Sequence, residues 1–376
     1  MRVSEEPAPQ VPARRRWLYT GLALAAVGAL VAVLTQLAPP DPAPTVSAAP
    51  APAAEQPPAP STQPEAAVPD DEAQLNEWVT KVSGWLDIPP RAMLGYARAT
   101  VTLTAEEPKC NVSWVTLAGI GKNASDHGRA GGGLGDAGTA AKPIGTVEVR
   151  DFYGKPVSKA GSSGPMQLPP EVWNGWKRSH TGTAEPDIQN IDDAALTAGR
   201  ALCADGRDLS DGPTWWEAVR SVQDAPLFLH RVLATANVYG TVIKDNAPPN
   251  PAVLKAVTFA IDKIGLPYVW GGNGTEKGDA GFDCSGLTTA AYASAGITLK
   301  RTAHWQYGSV PLVPKETEPK LGDLIFYGNP STKIHHVGLY VGNRQMVDAP
   351  TFGQAVQVHP YRKPNDSYAG AGRPAA

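Results

Sequence analysis

Cysteine and histidine are scarce in this chain, three and seven in 376 residues. No cysteine–histidine spacing has the form of a metal-ligand set, so no metal and no cofactor is expected. Charge of one sign is lacking too: the net charge is −3, which gives no reason to expect a nucleic-acid partner. The longest charge-free stretch lies near the start. Trp17 to Leu37 is 21 residues long with no charged side chain, and Arg14-Arg15-Arg16 stands before it. About 20 apolar residues suffice to cross a bilayer as a helix, with basic residues on the cytoplasmic side. The run predicts a single N-terminal transmembrane helix over 17–37, a cytoplasmic tail over 1–16 and an extracytoplasmic body. A cleavable secretory signal is the competing reading, since small residues abound around Ala48 to Ala54, and the body would then be secreted. The run exceeds a typical signal core, which favours the anchor.

Glycine and proline are plentiful, 38 and 37 residues, but the prolines crowd into the first 70 positions. Residues 38–70, built almost wholly of Pro, Ala, Gln, Ser, Thr and Glu, cannot bury enough apolar surface to order themselves and read as a stiffened linker. From 71 to 240 the pattern turns helical: Leu75, Trp78, Val79, Val82, Trp85 and Leu86 recur at three and four residues, and five further segments follow suit. A glycine-rich loop from Gly128 to Gly145 interrupts them. Cys110 and Cys203 fall in this one region and are paired as a disulfide, which leaves Cys284 free.

Within that region, Trp114, the run Leu117 to Gly128, Gly164-Pro165-Met166-Gln167, Trp173, and Gln189-Asn190-Ile191-Asp192-Asp193 resemble the lysozyme-like lytic transglycosylases of actinobacterial type. The resemblance implies a mostly α-helical domain with a glutamate directly before Ser125 as proton donor. This sequence has Ala124 there. A missing general acid costs on the order of a hundred- to ten-thousand-fold in rate. Asp126 lies two positions on, roughly 200° around a helix, and is expected to face elsewhere. Val222-Gln223 stands where the family carries Tyr-Asn. The expectation is a glycan-binding module without chemistry; Glu148 or Glu171 as a relocated acid is the alternative.

After a linker over 241–251, the segment 252–376 carries Phe282-Asp283-Cys284-Ser285-Gly286-Leu287. Helix-compatible residues follow Ser285 and Gly296 stops them, so Asp283 is the natural N-cap. A thiol at a helix start meets unpaired N–H groups and the positive dipole end, which favour the thiolate. Alternating apolar runs at 321–327, 335–342, 346–350 and 356–358 predict an antiparallel sheet. His336 offers a base and Asp348 an orienting acceptor. Their separation of twelve is even, so a three-residue turn Gly342-Asn343-Arg344 puts both on one face, Asp348 opposite Gly338 and diagonal to His336. His335 points the other way.

Tyr268, Gly271-Gly272, the Cys284 motif, Gly322-Asp323-Leu324-Ile325-Phe326 and His336 to Gly342 closely resemble the NlpC-type cell-wall peptidases, a papain-like cysteine peptidase family. That resemblance implies an α+β papain-like fold with Cys284 as nucleophile, His336 as base, Asp348 as the third residue and Tyr268 near the oxyanion. It implies cleavage of peptidoglycan stem peptides between D-glutamate and meso-diaminopimelate. Lys300, Arg301, Lys333 or Arg344 are candidates to meet substrate carboxylates. The order of the two regions is similar to that of wall-opening hydrolases of conjugative transfer systems, so peptidoglycan, the cytoplasmic membrane and a conjugation or secretion complex are the expected partners. Two alternatives stand beside the hydrolase: a catalytically silent wall-binding scaffold, and a bifunctional glycosidase and peptidase.

Overall fold

The computed structural model describes residues 68–150 and 155–375. No helix among the described residues is long and apolar enough to cross a membrane, so the predicted single-pass anchor and the membrane localisation built on it are not supported. The run 17–37, the tail before it and most of the linker after it lie outside the described residues.

The helical region is built from α1 (Glu72–Leu86), α2 (Pro90–Glu106), α3 (Trp114–Ser125), the short α4 (Pro170–Trp176), α5 (Ile191–Leu202), α6 (Gly212–Val222) and α7 (Pro226–Asp245). Local chemistry sets the starts. Asp71 caps α1 through the Ala73 and Gln74 amides, Ser113 caps α3 and Asn190 caps α5, each satisfying an amide that the helix itself leaves unpaired. Helix α1 buries one stripe, Leu75, Val79, Val82 and Leu86, whereas α5 is buried on nearly every side. That difference makes α5 the inner element. A disulfide joins Cys110, ahead of α3, to Cys203 at the end of α5, with the two Cα atoms 5.4 Å apart. Asp192, 1% exposed, is neutralised by Arg91 of α2, which a buried carboxylate requires.

Helix α7 outruns its expected end. It continues through Lys244 and Asp245, and Asn246 closes it in the left-handed conformation at φ 48°, so the connection to the next helix is only 246–250. The stop comes from Ala247-Pro248-Pro249, since proline cannot continue a helix.

The remaining chain forms α8 (Pro251–Asp262), α9 (Cys284–Ser294), α10 (Ala303–Tyr307) and the strands β1 (Leu312–Val313), β2 (Leu324–Asn329), β3 (Lys333–Gly342), β4 (Gln345–Asp348), β5 (Gln357–Pro360) and β6 (Tyr368–Gly372). The strands make one antiparallel sheet in the order β1-β6-β2-β3-β4-β5. Helices α9 and α10 pack on β3, while α7 packs on β3, β4 and β5 from the helical region. Arg231 of α7 donates to the Ile264 carbonyl at 2.8 Å, and Asn237 accepts from Asn343 at 3.1 Å. Helix α7 therefore belongs to both regions.

The β3–β4 turn is tighter than predicted. Gly342 pairs with Gln345, leaving two residues, Asn343 and Arg344, at φ 47° and 58°, the positive angles that a two-residue hairpin turn needs. A bulge between Tyr340 and Gly342 inserts one residue and restores the expected parity, so Leu339 faces Val347 and Tyr340 faces Met346. One step further along that register stand Gly338 and Asp348.

Candidate active site

Cys284 is the first residue of α9, 8% exposed, and the free cysteine among the described residues. Its position is fixed by Asp283, whose carboxylate accepts from the Gly286 amide at 2.6 Å and is clamped by both terminal nitrogens of Arg301 at 2.8 and 2.9 Å. Arg301 is thereby a strut for the cap, although it also lines the groove. Gly286 has to be glycine, because a Cβ there would sit 2.0 Å from the Gly272 carbonyl oxygen. Gln306 of α10, fully buried, ties the Ser285 carbonyl to Thr288, Thr289 and the Lys300 carbonyl. The thiol's helix is held by its neighbours before any substrate arrives.

His336 on β3 has the Cys284 thiol beside it on one side. On the other, its Nε2 lies 2.5 Å from Asp348 Oδ2, which leaves the Nδ1 edge for the thiol. Burial works against the imidazolium, but the bond and charge of Asp348, with the thiol beyond, outweigh it and push His336 up to about 10. Asp348, 1% exposed, is held well below the usual carboxylate range: burial opposes its charge, and the two histidines beside it overcome that. Gly338 makes room, since a Cβ there would lie 3.3 Å from that of Asp348 and 2.5 Å from the Met346 sulfur. His335 is exposed at a register shift of β3 and also borders the groove, so alternation does not turn it away as expected; burial with the neighbouring His336 charge lowers its pKa.

Asp348 has a second histidine that the sequence pattern did not single out. His359 on β5 donates from Nε2 to Asp348 Oδ1 at 2.9 Å. The signal was the alternation in β5, where Gln357 and His359 share a face; which face that is depends on pairing with β4, Met346 opposite His359 and Asp348 opposite Gln357.

The groove over Cys284 has a volume of about 1610 Å³. Tyr268 lines it, its ring centre 5.1 Å from that of Phe352, and burial followed by the nearby Cys284 raises the phenol's pKa, so it stays a hydrogen-bond donor. Of the four cations considered for substrate carboxylates, Arg301 and Lys333 line this groove, while Arg344 lies 3.8 Å from Glu318. Val157, Pro226, Leu227 and His230 bring the helical region to the groove wall. Trp270 and Phe352, 75% and 68% exposed, stack on one another beside Tyr268.

The other candidate site is quieter. Ala124, 2% exposed, closes the last turn of α3 at an open hollow of about 410 Å³ shared with Asn123, Asp126 and Arg129. Asp126 caps the helix at φ 50° and bonds Lys122 at 2.5 Å and Arg129 at 3.2 Å. Burial resists its charge, but Lys122 and Arg129 prevail and lower its pKa; it is a poor proton donor. Glu148 and Glu171 are exposed and paired with Arg150 and Lys159. Beneath the hollow His127 bridges two tyrosines, Tyr96 at 3.0 Å and Tyr239 at 3.2 Å, and burial lowers it to about 3.

A thiol on a helix start, an imidazole on a facing strand and a buried carboxylate behind it form a set that can carry out acyl transfer through a thioester. Residues 265–370 match the NlpC/P60 family: the C-terminal part of this chain is an NlpC/P60 domain. Among curated relatives, the chain is similar to the gamma-D-glutamyl-L-lysine dipeptidyl-peptidase of Bacillus cereus, 37% identical over 132 residues, 34% of this chain and 38% of that protein. It is 46% identical over 96 residues to the bifunctional muramidase/DL-endopeptidase CwlT of Bacillus subtilis, 25% of this chain and 28% of CwlT. It is 40% identical over 128 residues to the peptidoglycan endopeptidase RipB of Mycobacterium tuberculosis, 31% of this chain and 52% of RipB. The chain thus spans about half or less of the length of each.

Proposed function

We propose that this chain is a peptidoglycan hydrolase in which Cys284 attacks a stem-peptide amide following D-glutamate, with meso-diaminopimelate as the next residue. The observation that carries the reading is that Cys284, His336 and Asp348 line one open groove, with His336 bonded to Asp348 and the thiol beside the ring. The names of the relatives, which include a gamma-D-glutamyl peptidase and a DL-endopeptidase, support the bond class.

The Cys284 sulfur adds to the carbonyl carbon, and the oxyanion that forms meets the Tyr268 hydroxyl. His336 gives its proton to the departing amine as the C–N bond breaks, leaving a thioester. It then takes a proton from water, which adds to the thioester and expels the thiolate. Asp348 keeps the imidazole ring in register and stabilises its charged form throughout.

The helical region acts as a glycan-holding module. Ala124 offers no proton, Asp126 is kept ionised by two cations, and the exposed Glu148 and Glu171 are paired at the surface. The test is mass spectrometry of fragments released from diaminopimelate-type and lysine-type peptidoglycan by the parent chain, by Cys284→Ala and by Ala124→Glu. Peptide fragments that vanish with Cys284→Ala, and glycan-cleavage products that appear only with Ala124→Glu, support the reading. Peptide release that survives in Cys284→Ala sinks it, and an inert parent turns it toward the wall-binding scaffold.

A further inference from the structure

Asp348 has two acid oxygens and a histidine on each: His336 Nε2 on Oδ2 and His359 Nε2 on Oδ1. The His359 ring has one more bond. Its Nδ1 lies 3.0 Å from the Pro360 carbonyl oxygen. Neither an ionised carboxylate nor a carbonyl has a hydrogen to give, so the imidazole is the donor in both bonds. A neutral imidazole carries hydrogen on one nitrogen only. A ring that donates from both is an imidazolium, and its side chain, 18% exposed, is held there by two acceptors.

We propose that His359 is a standing imidazolium, a positioning residue that holds Asp348 from the side opposite His336 and limits how firmly that carboxylate binds the His336 charge. The inference rests on the reading of Cys284 and His336 as nucleophile and base. The groups that face His359 are Asp348 of β4, with His336 of β3 and Cys284 of α9 beyond it, His230 of α7, and Lys363 after β5. His230 adds no charge, since burial lowers it to about 4. Lys363 disfavours a second cation, while Asp348 and the Pro360 carbonyl favour it and prevail, for the pKa of His359 is raised against the effect of burial.

With His359 charged, Asp348 divides its pull between two rings. With His359 uncharged, the whole carboxylate charge falls on His336. That ring then binds its proton more tightly and gives it less readily to the departing amine.

The experiment is a histidine-ring nitrogen NMR titration of the full parent chain and of His359→Gln, which keeps an N–H donor toward Asp348 and removes the charge. In the parent, both His359 nitrogens are protonated from pH 6 to 8. In His359→Gln, the His336 midpoint rises by about one pH unit, as expected for removal of a cation one carboxylate away, and the basic limb of kcat/KM on stem peptide rises with it. An unprotonated His359 nitrogen at pH 7, or a His336 midpoint that does not move, overturns the proposal. The parent spectrum decides the charge even where the variant folds poorly. A shifted midpoint in a chain that hydrolyses nothing sinks the hydrolase reading and leaves the charge assignment standing.

Discussion

A buried and a part-buried histidine, one in each region, have opposite charge states. His127 lies between the hydroxyls of Tyr96 and Tyr239 and is neutral, its pKa lowered to about 3. His336 lies between Cys284 and Asp348 and is charged, its pKa raised to about 10. Burial pushes both rings toward neutrality. Hydroxyl partners satisfy a ring without changing that outcome, whereas a buried carboxylate reverses it. Proton transfer to a leaving amine needs the second kind of site.

The largest expected effect removes the carboxylate. Asp348→Ala should cost peptide hydrolysis on the order of a hundred- to ten-thousand-fold and bring the His336 midpoint down toward that of a buried histidine such as His127; ring NMR and initial rates read both. Retained activity with an unmoved midpoint would break the comparison.

Next comes the platform under the thiol. Gly286→Ala forces a methyl against the Gly272 carbonyl, and overpacking of this kind costs typically about 1–3 kcal/mol. Denaturant titration of the full chain should show that loss, with hydrolysis reduced alongside it. A neutral result would mean that the start of α9 yields more easily than its cap network indicates.

The pH dependence of stability sharpens the contrast, because the two histidines have opposite signs. The unfolded ring titrates near about 6.5. His127 binds its proton less well when folded, so its contribution is present above that value and lost as pH falls toward about 3. His336 binds its proton better when folded, so its contribution is present below that value and lost as pH rises through about 10. His127→Gln should therefore flatten the acid side of the stability curve by up to about 1.4 kcal/mol per pH unit and leave the alkaline side alone. Equal flattening on both sides would sink the assignment.

The smallest effect belongs to Glu171. It is 62% exposed and pairs with Lys159 at 3.3 Å, so Glu171→Gln should change stability by less than about 0.5 kcal/mol and leave fragment release unchanged. Glycan products released by the parent chain and lost with Glu171→Gln would return it to candidacy as an acid.

The residues that could be read from sequence were those whose chemistry is local. Cys284 follows its own cap, and His336 and Asp348 follow strand alternation plus one turn. Even there the parity came from a bulge at Val341 and a two-residue turn, two departures that offset each other. His359 was illegible because its place depends on which strand β5 joins, a pairing that alternation alone does not specify. Arg301 lines the groove, one of the candidates the sequence offered, but its role as a strut was hidden because its partner Asp283 lies 18 residues away across a helix and a loop. The sharing of α7 was hidden for a related reason: a helix buried against two different neighbours shows hydrophobic residues on several faces, and the pattern does not say whose they are.

Helix α7 has a consequence for how the protein melts. Its 20 residues span about 30 Å, and its side chains are core for the helices before it and support for the sheet after it. Loosening either side strips apolar cover from the other, because Leu227, His230 and Asn237 have partners across the 246–250 connection. Calorimetry should therefore find the two regions unfolding in one endotherm, and a protease that nicks the connection should release no separate half.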